Sequence, residues 1–271
     1  MISPPFMYGT AWKEDRTTAL VELAIRNGFR AIDTANQRRH YHEAAVGTGL
    51  AAVYRTGLVE RSDLFLQTKF TYMPGQDHRL PYDPQAPANL QVAQSMQSSL
   101  EHLGTDYVDS YVLHGPASGQ GWTDYDQEVW LAMLRERDAG RTRALGVSNV
   151  HLRHLEQMPS GEPGPVFVQN RCFARLAWDK AVRDFCREHA IVYQGFSLLT
   201  ANPEVMEHPF TQELARKYGA TLPQVIFSFA HGIGMLPLTG TSSSQHMQQD
   251  LIGLKLVLSA GEMEELEFLV A

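Results

Sequence analysis

The stretch TTALVELAIRNGFRAIDTA, residues 17–35, contains one full unit of the pattern that decides the fold. An amphipathic run from Thr17 to Asn27 reads as a helix and stops at Asn27-Gly28, because glycine accepts the left-handed backbone a helix end needs. A β-branched and aromatic run, Phe29 to Ala35, follows at once and reads as a strand with Asp33 near its end.

The same alternation extends in both directions. Further strands are expected near Pro5 to Trp12, Leu64 to Phe70, Tyr107 to His114, Thr142 to Asn149, Val166 to Cys172, Ile191 to Leu198 and Met235 to Thr239, which makes eight in all. Helices are expected at Glu43 to Tyr54, Leu90 to His102, Asp126 to Arg137, Val150 to Met158 and Lys180 to Glu188. Paired helical segments follow around Gln212 to Lys217 and Pro223 to Ala230, then at Ser244 to Ile252 and Ala260 to Leu269. Leu103-Gly104 and Ala139-Gly140 repeat the glycine stop.

Eight strand-then-helix units with no leftover segment favour a closed (β/α)8 TIM barrel, of α/β class, over an open doubly wound sheet. The 271 residues are close to the ~250 typical of such a barrel. No composition shift marks a linker, so residues 1–271 are expected to form a single domain.

Composition narrows the function classes. Apolar residues make up 44% and charged residues 20%, the balance of an ordinary globular protein. A net charge of -7 with dispersed Lys and Arg argues against a nucleic-acid partner, which needs a clustered basic surface. No apolar run reaches the ~18 residues of a membrane span and no signal peptide opens the chain, so a cytoplasmic protein without a membrane partner is expected. The two cysteines, Cys172 and Cys186, have neither a CxxC nor a Cys/His ligand spacing, so a reducing compartment and no metal site are expected.

In a (β/α)8 barrel the catalytic groups stand at the C-terminal ends of the strands. The second strand ends in Asp33-Thr34, the third in Thr68-Lys69 and the fourth in Leu113-His114. Lys69 follows the apolar run Leu64-Phe65-Leu66, where a buried ammonium needs a partner, and Asp33 on the adjacent strand is within reach. The fifth strand ends in Ser148-Asn149, the sixth contains Gln169 and the seventh ends in Phe196-Ser197. Amide and hydroxyl groups beside an aromatic face suit a flat ring bearing a carboxamide. After the eighth strand, Gly240-Thr241-Ser242-Ser243-Ser244 opens a helix whose N-terminus can hold a phosphate.

The pattern Gly9-Thr10-Ala11-Trp12, Gly28 to Ala35, Glu43-Ala44-Ala45-Val46-Gly47, Thr68-Lys69, Leu113-His114, Gly146 to Asn149 and Gly240 to Ser243 resembles the aldo-keto reductase superfamily in order and spacing. The resemblance implies an NADPH-dependent reduction of a carbonyl, with NADH left open, and a catalytic Asp, Tyr, Lys and His. It places Asp33, Lys69 and His114 directly. Members usually carry the tyrosine five residues after the aspartate, where this chain has Arg38, so Tyr41 is the candidate acid, in a rearranged loop, with His40 as the surrogate.

The resemblance further implies that Ser148, Asn149 and Gln169 hold the carboxamide, that Phe196 stacks on the nicotinamide, and that Ser197 and Leu199 lie beside the cofactor. Gly9 and Thr10 belong to the same set. At the adenosine end, relatives that prefer NADPH often carry cations where this chain has Gly240 and His246. Thr241, Ser242, Ser243 and His246 are then the phosphate candidates, with Gln249 and Asp250 near the adenine.

Trp12, Phe70, Tyr72 and Trp122 are candidates to line an apolar substrate pocket. The proline-bearing stretch from Thr71 to Ala88 is either a pocket wall or a passive connector. Compared with many relatives, the N-terminal hairpin and C-terminal tail are expected to be shortened, leaving a more open pocket. A small carbonyl compound is the expected partner of a monomer or weak oligomer. The other readings are a cofactor-binding regulatory subunit with little turnover, a Schiff-base aldolase using Lys69, and, less favoured, a metal-dependent hydrolase.

Overall fold

The computed structural model describes residues 4–271. Eight parallel strands, β1(Met7–Gly9), β2(Ala31–Asp33), β3(Phe65–Phe70), β4(Val108–Leu113), β5(Thr142–Ser148), β6(Phe167–Arg171), β7(Val192–Phe196) and β8(Leu236–Thr239), close into a barrel in chain order. The seam is the pairing of Met7 with Leu238 and of Tyr8 with Thr239. The helices surround it: α1(Thr17–Arg26), α2(Glu43–Arg55), α3(Ala88–Leu103), α4(Asp124–Asp138), α5(Leu152–Gln157), α6(Lys180–Glu188), α7(Pro203–Glu207), α8(Pro209–Tyr218), α9(Leu222–Gly232), α10(Ser244–Gly253) and α11(Ala260–Phe268).

Every expected strand is present, though most are trimmed at both ends. β1 is cut most, to three residues, because the backbone beyond Gly9 turns away: Trp12 takes a φ of 62° and donates its N–H to His40 O at 2.8 Å. The helix stops at Gly28 and Gly104 have φ of 109° and 63°, the left-handed region the sequence anticipated. The short helix α7 went unanticipated; its first residue is Pro203, which fits the first turn of a helix, and Asn202 before it holds the preceding loop through Cys172 O and Leu198 O.

Strand periodicity sorts the side chains into two cores. Met7, Ala31, Phe65, Ala144, Phe167, Leu236 and Leu238 point inward and plug the lower barrel, with the Phe65 and Phe167 rings 5.5 Å apart. Their neighbours Tyr8, Ile32, Leu66 and Val168 point outward into the layer between strands and helices. The next inward positions above the plug are polar: Asp33, Gln67, Lys69, Gln169 and Gln194, all buried. Asp33 faces Gln67 across β2 and β3, and Gln169 faces Gln194 across β6 and β7.

The alternation also corrects one expectation. Phe70 follows inward-pointing Lys69, so it faces the helices, fully buried beside the rings of Tyr72 and Tyr82, and does not line a pocket. Cys172 and Cys186 are buried free thiols, and burial pushes both up to about 12. Among the described residues no helix is long and apolar enough to cross a membrane.

Candidate active site

A cavity of about 570 Å³ opens at the C-terminal ends of the strands, within the size range of small-ligand sites. Asp33, Tyr41, His114, Ser148, Asn149, Gln169 and Phe196 line one end. Lys13, Gly240, Thr241, His246, Gln249, Asp250 and Thr221 line another part, with Gly9, Trp12, Ser197 and Leu199 also in the wall.

Asp33 is the anchor. Its backbone carbonyl accepts from Thr10 N at 3.0 Å and Thr10 Oγ1 at 2.9 Å, so Thr10 is buried behind the strand end and touches no ligand space. Its Oδ1 accepts from Lys69 Nζ at 2.7 Å, Gln67 Nε2 at 2.8 Å and Gln169 Nε2 at 3.0 Å. Lys69 also donates to Thr34 O at 2.8 Å. Burial pulls the ammonium below the usual lysine range, and the Asp33 charge opposes that pull.

Tyr41 reaches the cavity through a local device. Arg38, Arg39 and His40 form a turn closed by Tyr41 N–H donating to Gln37 O at 3.0 Å, which takes up the rearranged loop. The Tyr41 ring stands edge-on to His114 at 5.8 Å, and Lys69 Nζ lies 5.1 Å from its centre. Burial, with Asp33 nearby, holds the phenol above its ordinary range, so it carries its proton. His40 instead packs against Trp12, the rings tilted by 37° with centres 4.1 Å apart, and is not in the cavity wall; Arg38 pairs with Glu14.

His114 Nδ1 lies 2.7 Å from Thr71 Oγ1. Burial and the Lys69 charge push the imidazole well below its usual value, so it is neutral. A Thr71 hydroxyl that donates to Nδ1 leaves the ring proton on Nε2.

The amides beside Phe196 form a matched pair of groups. Gln169 spends both N–H bonds inside the barrel, on Asp33 and on Gln194 Oε1 at 3.0 Å, so its remaining function toward the cavity is a carbonyl acceptor. Asn149 Nδ2 donates to His114 O at 2.7 Å and to Ser148 Oγ at 3.1 Å, which leaves the Ser148 hydroxyl proton free to donate. One donor and one acceptor beside an aromatic face complement a carboxamide on a flat ring, so the residues present fit a nicotinamide.

Other candidates fall elsewhere. Tyr72 donates to Asp126 Oδ1 at 2.9 Å and Trp122 donates to Gln127 Oε1 at 3.0 Å; both pack against α4 outside the cavity wall. Ser243 caps α10 by accepting from His246 N at 3.3 Å, and Ser242 is exposed beside it; neither lines the cavity. No residue of the 71–88 loop lines the cavity either. Its work is internal: Thr71 holds His114, and Tyr82 donates to Thr71 O at 2.8 Å. Lys13 and Thr221 were missed, although Lys13 directly follows the Gly9 to Trp12 motif. Among the described residues no three His, Cys, Asp or Glu side chains are grouped to hold a metal.

The model of the aldo/keto reductase family matches residues 7–202, and the chain belongs to that family. It is 30% identical to the NAD(P)H-dependent 6'-deoxychalcone synthase of Glycine max over 258 residues, covering 88% of this chain and 76% of that protein. It is 28% identical to the glyoxal reductase of Bacillus subtilis, covering 82% of this chain and 73% of that protein. Among solved structures, a Bombyx mori aldo-keto reductase in complex with NADP superposes with a TM-score of 0.81 at 24% identity, covering 98% of this chain and 88% of that one.

Proposed function

We propose that the protein reduces an aldehyde or ketone to an alcohol with NADPH, using Tyr41 as the general acid. The observation that carries this reading is the convergence of Tyr41 and His114 on one cavity beside the Ser148, Gln169 and Phe196 group, with the buried Lys69 Nζ 5.1 Å from the Tyr41 ring centre. The names of the relatives support the reductant: one is NAD(P)H-dependent and one structure holds NADP. NADH is the alternative.

Ser148, Asn149 and Gln169 would hold the carboxamide of a reduced dinucleotide and Phe196 would cover one face of its ring, and that group would supply the hydride for the carbonyl carbon. His114, neutral, donates from Nε2 to the carbonyl oxygen and fixes it near Tyr41. Tyr41 gives its proton to that oxygen as negative charge develops, and the Lys69 ammonium stabilises the phenolate left behind. Asp33 holds Lys69 in place throughout.

The regulatory-subunit reading drew on the displaced tyrosine, and the turn that returns Tyr41 to the cavity weakens it. The aldolase reading needs a free amine, whereas Lys69 is committed to Asp33 and Thr34.

The test is oxidation of NADPH and NADH against a panel of aromatic and aliphatic aldehydes. Tyr41→Phe is expected to lose roughly 10²- to 10⁴-fold in kcat while still binding NADPH, and His40→Ala to stay within about threefold of the wild type. Full activity in Tyr41→Phe would sink the assignment. Tight NADPH binding without turnover in the wild type would favour the regulatory subunit.

A further inference from the structure

Three successive residues between β6 and α6, Ala177, Trp178 and Asp179, have φ of 46°, 57° and 60°, and none is glycine. Side chains disfavour that left-handed region, so the surroundings must hold the turn. Trp178 is fully buried and donates from Nε1 to Leu266 O of α11 at 3.0 Å. Arg183 donates from Nε to Trp178 O at 2.8 Å and from Nη2 to Ala177 O at 3.1 Å.

What the turn delivers is the Asp179 carboxylate. Asp179 precedes α6 where an aspartate ordinarily caps a helix, yet its side chain makes no cap. Instead its Oδ2 accepts from Asn170 Nδ2 and from Tyr193 OH, both at 2.8 Å. Burial raises the Tyr193 phenol well above its usual range, so it keeps the proton it donates.

Asn170 follows Gln169 on β6, so pleating turns one amide into the barrel and the other out of it. The outer amide grips a single residue: Oδ1 accepts from Val150 N at 3.0 Å and Nδ2 donates to Val150 O at 2.7 Å. Because a carboxylate only accepts, Asp179 favours this orientation of Asn170 over the flipped one. Val150 directly follows Asn149, which has a φ of 54° and donates its backbone N–H to Gln169 O at 3.1 Å. With the backbone pinned on both sides, Asn149 reaches back to His114 O and Ser148 Oγ.

Resting on the reading of the cavity as a nicotinamide site, we propose that Asp179 and Asn170 are positioning residues for its ring end. They hold Asn149 in the left-handed conformation and so aim the Ser148 hydroxyl at the carboxamide. Neither lines the cavity, and both act through Val150.

The experiment is titration with NADPH, read by quenching of tryptophan fluorescence, of the wild type, Asp179→Gly, Asp179→Asn, Ser148→Ala and the Ser148→Ala/Asp179→Gly pair. Glycine keeps the left-handed backbone and removes only the carboxylate. Asp179→Gly is therefore expected to raise the NADPH Kd roughly tenfold, the effect of one hydrogen bond lost at the ring. Asparagine tolerates the same backbone and offers Oδ1 as the acceptor, so Asp179→Asn is expected to stay within about threefold of the wild type. In the Ser148→Ala background Asp179→Gly is expected to add less than about twofold, because the donor it aims is already gone.

An Asp179→Gly affinity equal to that of the wild type would overturn the proposal. So would an equal loss in Asp179→Asn, or losses that multiply in the pair, since either assigns Asp179 to general support of the loop. A wild type that binds neither NADPH nor NADH would overturn the reading of the cavity, and this inference with it.

Discussion

Gln169 and Asp33 meet across the barrel, the Nε2 of one donating to Oδ1 of the other at 3.0 Å. A carboxylate only accepts, so the direction of every amide in contact with it is fixed. Gln67 must donate to the same oxygen, and Gln194 must then accept from both Gln67 and Gln169, at 2.8 Å and 3.0 Å, and return a bond to Gln67 Oε1 at 3.0 Å. One charge thus orients three amides, including the acceptor that Gln169 turns to the cavity.

The same charge compensates Lys69. Asp33→Asn leaves a buried ammonium without its counterion and is expected to destabilise the fold by about 3–5 kcal/mol. Lys69→Met is expected to cost less, because Asp33 keeps two amide donors. The double variant is expected to be more stable than the sum of the single losses, as read by urea denaturation. Additive losses would mean the pair is not coupled in this way.

His114 is neutral because burial and Lys69 push its pKa well below 6.5. The pH profile of kcat/KM is therefore expected to lack an imidazole limb between pH 6 and 8. Thr71→Val removes the partner of Nδ1 and is expected to lower kcat/KM by about tenfold, chiefly through misplacement of the carbonyl. An acid limb near pH 6.5 that disappears in His114→Gln would contradict the assignment.

Asp250 makes stability depend on pH in the opposite sense from an ion pair. Burial raises its carboxyl from 3.8 to about 6, partly offset by the Thr239 hydroxyl. Below pH 3.8 the group is protonated in both folded and unfolded chains and contributes nothing. As pH rises through the window from 3.8 to about 6 the unfolded chain ionises first, so the folded state is penalised, fully so above that window. Asp250→Asn is expected to gain on the order of 1–3 kcal/mol over the wild type at pH 8. That gain should shrink toward zero near pH 4 in matched denaturation curves, and one independent of pH would rule this account out.

The barrel was legible in the sequence because its signals are local. Eight short β-branched runs, the helices between them and stops such as Asn27-Gly28 follow from backbone preference within a few residues. Asp33, Lys69 and His114 were legible for the same reason: each ends a strand, and strand ends of a barrel share one rim.

What the sequence left open depended on where side chains point. Phe70 and Lys69 are neighbours in the chain, yet pleating sends one to the helices and the other to the site. Tyr72 and Trp122 follow strands on the active face, but hydrogen bonds to Asp126 and Gln127 draw them against α4. The turn that brings Tyr41 back to the cavity depends on its bond to Gln37 O, which no motif spacing reveals. Gln67, Gln194 and Lys13 were silent in one dimension because their partners come from distant strands or loops. The sequence alone determined the barrel and most of its rim. Only closure of the sheet decided which buried amides share one carboxylate and set the Lys13 ammonium against Gly240 O, because those contacts exist only between residues far apart in the chain.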